Sequence, residues 1–269
     1  MRQVNRPQLI VRVKCQECSV SKDKSIFYVF LFSITFWWLV IATNSFALSL
    51  SDQINPILKT ALTSQGLSLN KELQDKQFYK AMAAYERGEY YLAKRSLLPL
   101  AQQQYTEAEF YMGMIYDMGL GVVKTPATAV DWYQRAALKG YHHAQHNLAV
   151  AYANGVGIKQ DMEKAIRWWE RAARQGNTDS QYNLGIVYAT GSEQVKRDVL
   201  EAEKWWRKAA ISGDAMAQFN LGALYANGEK KVTSYCEAIR WWQESARAGM
   251  VQAQEAIEIL KQRDDYRPC

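Results

Sequence analysis

Three histidines stand close together in this 269-residue chain, at His142, His143 and His146. The first and last are four apart, a spacing that puts two imidazoles on one helical face and could hold a metal. A sequence repeat described below, however, places His146 in register with Phe110, Tyr182 and Phe219. That register favours a packing role, so no metal is expected. Cys236 falls at the second position of an expected helix, where the positive end of the helix dipole favours a thiolate. In an oxidising compartment it could instead pair with Cys269, within one molecule or between two; the free thiol and both disulfides stay open. Cys15 and Cys18 form a CxxC with no second pair and no histidine at zinc spacing, which is a weak signal. Ser-x-x-Lys occurs at Ser19 to Lys22 and Ser21 to Lys24, without the companion motifs of penicillin-binding proteins. The sequence holds no GxSxG, no phosphate-binding glycine loop and no HExxH. No catalytic residue and no cofactor are therefore expected.

These residues sit on two very different stretches. Residues 26–42 run for seventeen positions without a charge, preceded by six Lys or Arg and followed by TNSFALS. A basic start, an apolar run and a small-residue exit describe an export signal, with Ser45 and Ala47 at the −3 and −1 places of a cleavage site. An uncleaved anchor is the alternative, because about 17 apolar residues is the lower limit for spanning a bilayer. The long basic start also points to a later translation start, near Val20. The chain carries a formal charge of +6 and a pI near 9.0, which would suggest polyanionic partners. Six of its 33 basic residues and two of its 27 acidic ones lie in the first 47, so the rest is nearly balanced. Nucleic acid is accordingly not expected as a partner.

Beyond the leader the chain repeats. Gly140, Gly176, Gly213 and Gly249 recur every 36 or 37 residues, as do Trp132, Trp168, Trp205 and Trp241. Tyr116, Tyr152, Tyr188 and Tyr225 form a third column, and Met112, Leu148, Leu184 and Leu221 a fourth. Each unit reads as two helices. Ala144, Leu148 and Tyr152 step by four along a first helix, and Ala165, Trp168 and Ala172 make an apolar stripe on a second. The second helices are predicted at 126–139, 162–175, 199–212 and 235–248. They open on Thr125, Asp161, Asp198 and Ser234, which can accept from unpaired amides, with Ser234 and Glu237 as a capping box. They stop at the glycine column.

The Trp132 column is predicted to fill the space between units, with the Tyr116 column in the repeat core beside it. Trp169, Trp206 and Trp242 lie about 100° further round the helix; packing is their first reading, and a ligand platform is a stronger alternative here than for the Trp132 column. The basic column Arg167, Lys204 and Arg240 reads as a solvated outer face.

The stretch AQHNLAVAYANGVGIKQDMEKAIRWWERAARQG, residues 144–176, closely resembles the Sel-one-like repeat (SLR), a relative of the tetratricopeptide repeat. The resemblance covers about residues 108–260. It implies an all-α fold, a right-handed α/α superhelical solenoid whose first helices line a concave groove that binds proteins or peptides. On that face Asn147, Asn183 and Asn220 are the groove candidates, since amides both donate to and accept from a peptide backbone; hydrogen bonding between adjacent repeats is their other role. The disulfide-linked branch of the family carries cysteine pairs within successive repeats, and this chain does not. The paired glycines of the family turn stand at Gly119/Gly121 and Gly155/Gly157. The later turns keep only Gly191 and Gly228, and the third has one extra residue, so altered paths are expected there.

The expected organisation is a signal or anchor at 1–47, a linker or helical segment at 48–77 and a degenerate tetratricopeptide-like capping hairpin at 78–107. Four repeats follow at 108–143, 144–179, 180–216 and 217–252, then a capping helix at 253–262 and a tail at 263–269. The expected protein is an exported, non-enzymatic binding scaffold of a bacterial envelope, periplasmic or secreted, with membrane contact only through its N-terminal segment. The alternatives are a scaffold tethered to the inner membrane and an envelope hydrolase of the penicillin-binding or β-lactamase type, to which some SLR proteins are linked.

Overall fold

The computed structural model describes residues 56–266 other than 193 and 229–233. The export segment, Cys15, Cys18, both Ser-x-x-Lys pairs and Cys269 lie outside the described residues. The chain divides into units 1–68 and 69–269. In the first, residues 56–68 are helical, the start of helix α1 (Pro56–Glu86). No helix among the described residues is long and apolar enough to cross a membrane.

In the second unit the helices after α1 are α2 (Tyr90–Gln102), α3 (Thr106–Met118), α4 (Pro126–Leu138), α5 (His142–Asn154), α6 (Met162–Arg174), α7 (Thr178–Thr190), α8 (Val199–Ile211), α9 (Ala215–Ala226), α10 (Tyr235–Arg247) and α11 (Val251–Lys261). From α2 onward each packs chiefly on the helices just before and after it in the chain, so antiparallel pairs stack in a row as an all-α solenoid. No strand occurs among the described residues.

The four second helices (α4, α6, α8, α10) end alike, one residue before the predicted limits. Gly140, Gly176, Gly213 and Gly249 hold φ between 90° and 96°, a left-handed conformation that suits glycine. The next amide then reaches back to a carbonyl five residues earlier, Tyr141 to Ala136 at 3.2 Å and Asn177 to Ala172 at 3.1 Å. This closure satisfies terminal carbonyls and turns the chain into the following first helix. The starts are less uniform than the sequence suggests. Asp161 accepts from the Lys164 amide and Asp198 from those of Leu200 and Glu201, but Thr125 and Ser234 make no side-chain cap. The Thr125 hydroxyl donates to Val123 O instead, and Glu237 pairs with Arg240.

Packing also differs from expectation in one respect. Tyr133, Trp169, Trp206 and Trp242 are all buried, with 2–6% of their surface exposed. In the neighbouring column Trp205 and Trp241 are buried but Trp132 and Trp168 are half-buried, as are Tyr116, Tyr152 and Tyr188. The reason lies across the helix pair, where the inner aromatic lies flat on a small residue of the first helix. A Cβ added at Gly113 would sit 2.5 Å from the Tyr133 ring, and at Gly185 or Gly222 only 2.2 or 2.4 Å from the indole of Trp206 or Trp242. The Trp169 column is thus the core and not a ligand platform, and each such ring removes on the order of 150–250 Å² from water. The Trp132 column lies at the unit boundary: Trp132 packs on the core of α1–α3, and Trp205 joins the cluster of Ala149 and Trp169. Cations cover these indoles, Arg135 over Trp132 and Arg171 over Trp168 at 4.5 Å, and Lys208 over Trp205 at 4.1 Å.

A polar seam runs through the same joints. Gln145, Gln181 and Gln218, all buried, donate to Ala137 O, Ala173 O and Ala210 O of the preceding second helix at 3.0–3.2 Å. Glu109, 2% exposed, holds the equivalent place in α3 and accepts from Lys139 Nζ at 2.7 Å.

At the N-terminal end Phe78 and Ala81 of α1 join the core formed by Leu97, Leu100, Met112 and Ile115. At the other end Ala253, Ile257 and Leu260 of α11 cover the last repeat. The third turn departs from its neighbours, as its extra residue and missing glycine imply. Ser192 and Val195 exchange backbone bonds, and Val195 is buried.

Candidate functional site: the face of the first helices

Each first helix turns its Leu148-type stripe toward the second helices, where Leu148, Leu184 and Leu221 are fully buried. On the other side of each helix lies a half-buried stripe: Asn147 and Val150 in α5, Asn183 and Ile186 in α7, Asn220 and Ala223 in α9. Because α3, α5, α7 and α9 follow one another along the row, these side chains make one repeating polar and apolar track. Asn147 is engaged within the protein, its Nδ2 donating to Met114 Sδ of the preceding repeat at 3.5 Å.

At Asn147 the track opens into a cleft of about 130 Å³. Its polar side chains are Asp117, Tyr133, Asn147 and Asn154, and its walls include Val130, Val150 and Val156. The Tyr133 hydroxyl donates to Asp117 Oδ2 at 3.3 Å and lies 3.4 Å from Met114 Sδ. Burial, with the Asp117 carboxylate beside it, holds the Tyr133 phenol well above its usual range. Sequence reasoning missed this pair. Its signal was a joint departure from two columns, Asp117 where the other repeats carry Ala153, Ala189 and Ala226, and Tyr133 where they carry tryptophan.

A second polar insertion lies further along. Glu203 occupies the place of Val130, Ile166 and Ile239, and accepts from the Tyr225 hydroxyl and, at 3.0 Å, from Arg207. Burial and the bond to Glu203 push the Tyr225 phenol up to about 12.

The histidines stay close, with the His142 and His143 rings 4.0 Å apart, but each ring has its own neighbours. His146 Nδ1 lies 2.9 Å from the hydroxyl of buried Ser180, His142 Nδ1 lies 3.4 Å from Asn177 Nδ2, and His143 is exposed against Phe110 and Tyr141. Among the described residues no group of three or more His, Cys, Asp or Glu is placed to hold a metal. Cys236 is disulfide-bonded. Arg167, Lys204 and Arg240 pair with Glu163, Glu201 and Glu237 on an exposed face, as solvated i,i+3 and i,i+4 pairs.

Four matches to the Sel1 repeat, at residues 106–141, 142–177, 178–214 and 215–250, account for more than half of the chain. The chain belongs to the Sel1 repeat family. It is similar, at 30% identity and a TM-score of 0.63, to the crystal structure of a Sel1 repeat protein from Oxalobacter formigenes, over 67% of this chain and 73% of that one. It is also 30% identical, with a TM-score of 0.60, to c5321, a protective antigen of uropathogenic Escherichia coli with an SLR fold. That match covers 64% of this chain but only 37% of the E. coli protein. No curated protein matches the sequence. Sel1 repeats generally mediate protein–protein interaction, on a fold that is generally a non-catalytic scaffold.

Proposed function

We propose that the protein is an exported, non-enzymatic scaffold of a bacterial envelope that holds a protein or peptide segment along the face of α3, α5, α7 and α9. The observation that carries this reading is the half-buried track of Asn147, Asn183 and Asn220 with Val150, Ile186 and Ala223, repeated in the second, third and fourth units. Amides beside aliphatic groups suit an extended backbone that must bond at regular intervals while its side chains leave water. The apolar run at residues 26–42 supports export, and the description of the E. coli relative as a protective antigen agrees with it.

Crosslinking in intact cells, followed by purification of the full chain, tests both parts. Partners should be captured from the envelope fraction and lost in the Asn183→Ala/Asn220→Ala variant, which leaves the Asn147 contact in place. Retention of the same partners by a folded variant removes the track from consideration. Recovery of the chain in the cytoplasm removes export, and a retained N-terminal segment in carbonate-washed membranes establishes the tethered form.

A further inference from the structure

We propose that the cleft formed by Asp117, Tyr133 and Asn147 is the seat of a cationic side chain, lysine or arginine, supplied by the peptide lying along the first helices. This inference rests on the reading of that face as the docking surface and names the chemistry of what docks there.

The second repeat shows what the ordinary unit does at this place. Trp169 and Ala153 belong to a single apolar cluster with Ala149 and Ala165. In the first repeat both columns change together, and a phenol hydroxyl 3.3 Å from a carboxylate stands in an otherwise apolar joint. A packing role alone gives no reason for that exchange, since the alanine and indole version closes the joint three times in the same molecule.

The charge is also left over. The acidic residues of α3 are treated differently: Glu109 receives Lys139 at 2.7 Å, whereas Asp117, at the cleft, makes no ion pair among the described residues. No cation lines the cleft. The phenol, held above its usual range by burial and the neighbouring carboxylate, stays a neutral donor. Asn147 adds a carbonyl oxygen that can accept from an ammonium or guanidinium while its amide stays on Met114.

Shape agrees with charge. The opening of about 130 Å³ has Val130, Val150 and Val156 along its sides, and Val156 and Asn154 are exposed at the rim. Lysine and arginine bring an apolar stem that such walls can cover and a cation that the carboxylate can bind in charge-assisted hydrogen bonds. Binding in a partly desolvated cleft makes the contact selective, because a neutral or acidic side chain there leaves Asp117 without compensation.

The test uses the full chain on an array of immobilised nonapeptides of randomised sequence. Wild type should retain peptides enriched in lysine or arginine at one position. Asp117→Ala should bind those peptides roughly tenfold more weakly or less, and Tyr133→Phe more weakly by a smaller factor. Alanine is the residue of the other three repeats at this place, and thermal unfolding of each variant confirms an intact fold; Asp117→Asn provides an isosteric second variant. Peptides bound without a basic preference, or with one unchanged in both Asp117 variants, overturn the cleft assignment and leave the docking face standing. Failure of folded wild type to retain any peptide overturns both.

Discussion

In the first two repeats the polar side chain buried near the start of the first helix is held on its oxygen; in the last two it is not. Glu109 accepts from Lys139, and Gln145 Oε1 accepts from Gln175 Nε2 at 2.8 Å. Gln181 Oε1 and Gln218 Oε1 are buried with no partner among the described residues. The donor column explains the difference, since the residue that caps the second helix runs Lys139, Gln175, Ser212, Ala248 along the chain. As that side chain shortens, the joint loses its second hydrogen bond while keeping the first, from the glutamine amide to the preceding helix. A buried acceptor without a donor costs about 1–3 kcal/mol. The solenoid is thus built from one fold of joint at two levels of polar satisfaction, with the better satisfied joints on the side of the Asp117 cleft.

The comparison can be broken most sharply at its stronger end. Lys139→Ala strands a carboxylate with 2% exposure and should lower unfolding free energy by roughly 3 kcal/mol, much of it recovered by adding Glu109→Gln. Denaturant unfolding of the single and double variants measures both; equal loss in the two would mean that packing of the lysine stem, and not the charge, holds the joint. Next in size, Gly185→Ala forces a methyl onto Trp206 and should cost about 1–3 kcal/mol, although the second repeat carries Ala149 at this place. A neutral outcome would show that the third joint can open to the spacing of the second. The smallest effect is a gain. Ala248→Gln offers a donor to Gln218 Oε1 and should raise stability by about 1 kcal/mol, visible as a higher midpoint of thermal unfolding. An unchanged midpoint would place a water at that oxygen already.

How far the sequence could be read depends on which residues share a helix. The helix pairs, the glycine stops and the Leu148 stripe follow from spacings within one element, and all three can be traced in the residues directly. The ranking of the two aromatic columns could not be, because it is decided by Gly113, Ala149, Gly185 and Gly222 about twenty residues away on the partner helix. That column of small residues was present in the sequence and meaningful only once paired. The cap residues show a different limit. Thr125, Asp161, Asp198 and Ser234 occupy one column with similar backbone conformations, yet only the two carboxylates accept from first-turn amides, and the Thr125 hydroxyl donates to Val123 O instead. The Tyr133–Asp117 pair needed both kinds of information, the departure from the columns and the contact across helices.

The third turn carries one residue more than its neighbours, yet α7 and α8 keep the 13 residues of the helices before them. The surplus is taken up where Ser192 and Val195 close on each other. Length variation at that site leaves the joints untouched, so the unit behaves as an interchangeable part. An in-frame duplication or loss of one repeat would lengthen or shorten the docking track by one Asn-bearing segment without redesigning anything else. The extent of the partner that can be gripped is then a quantity that simple genetic events can dial, independently of the cleft that selects its charge.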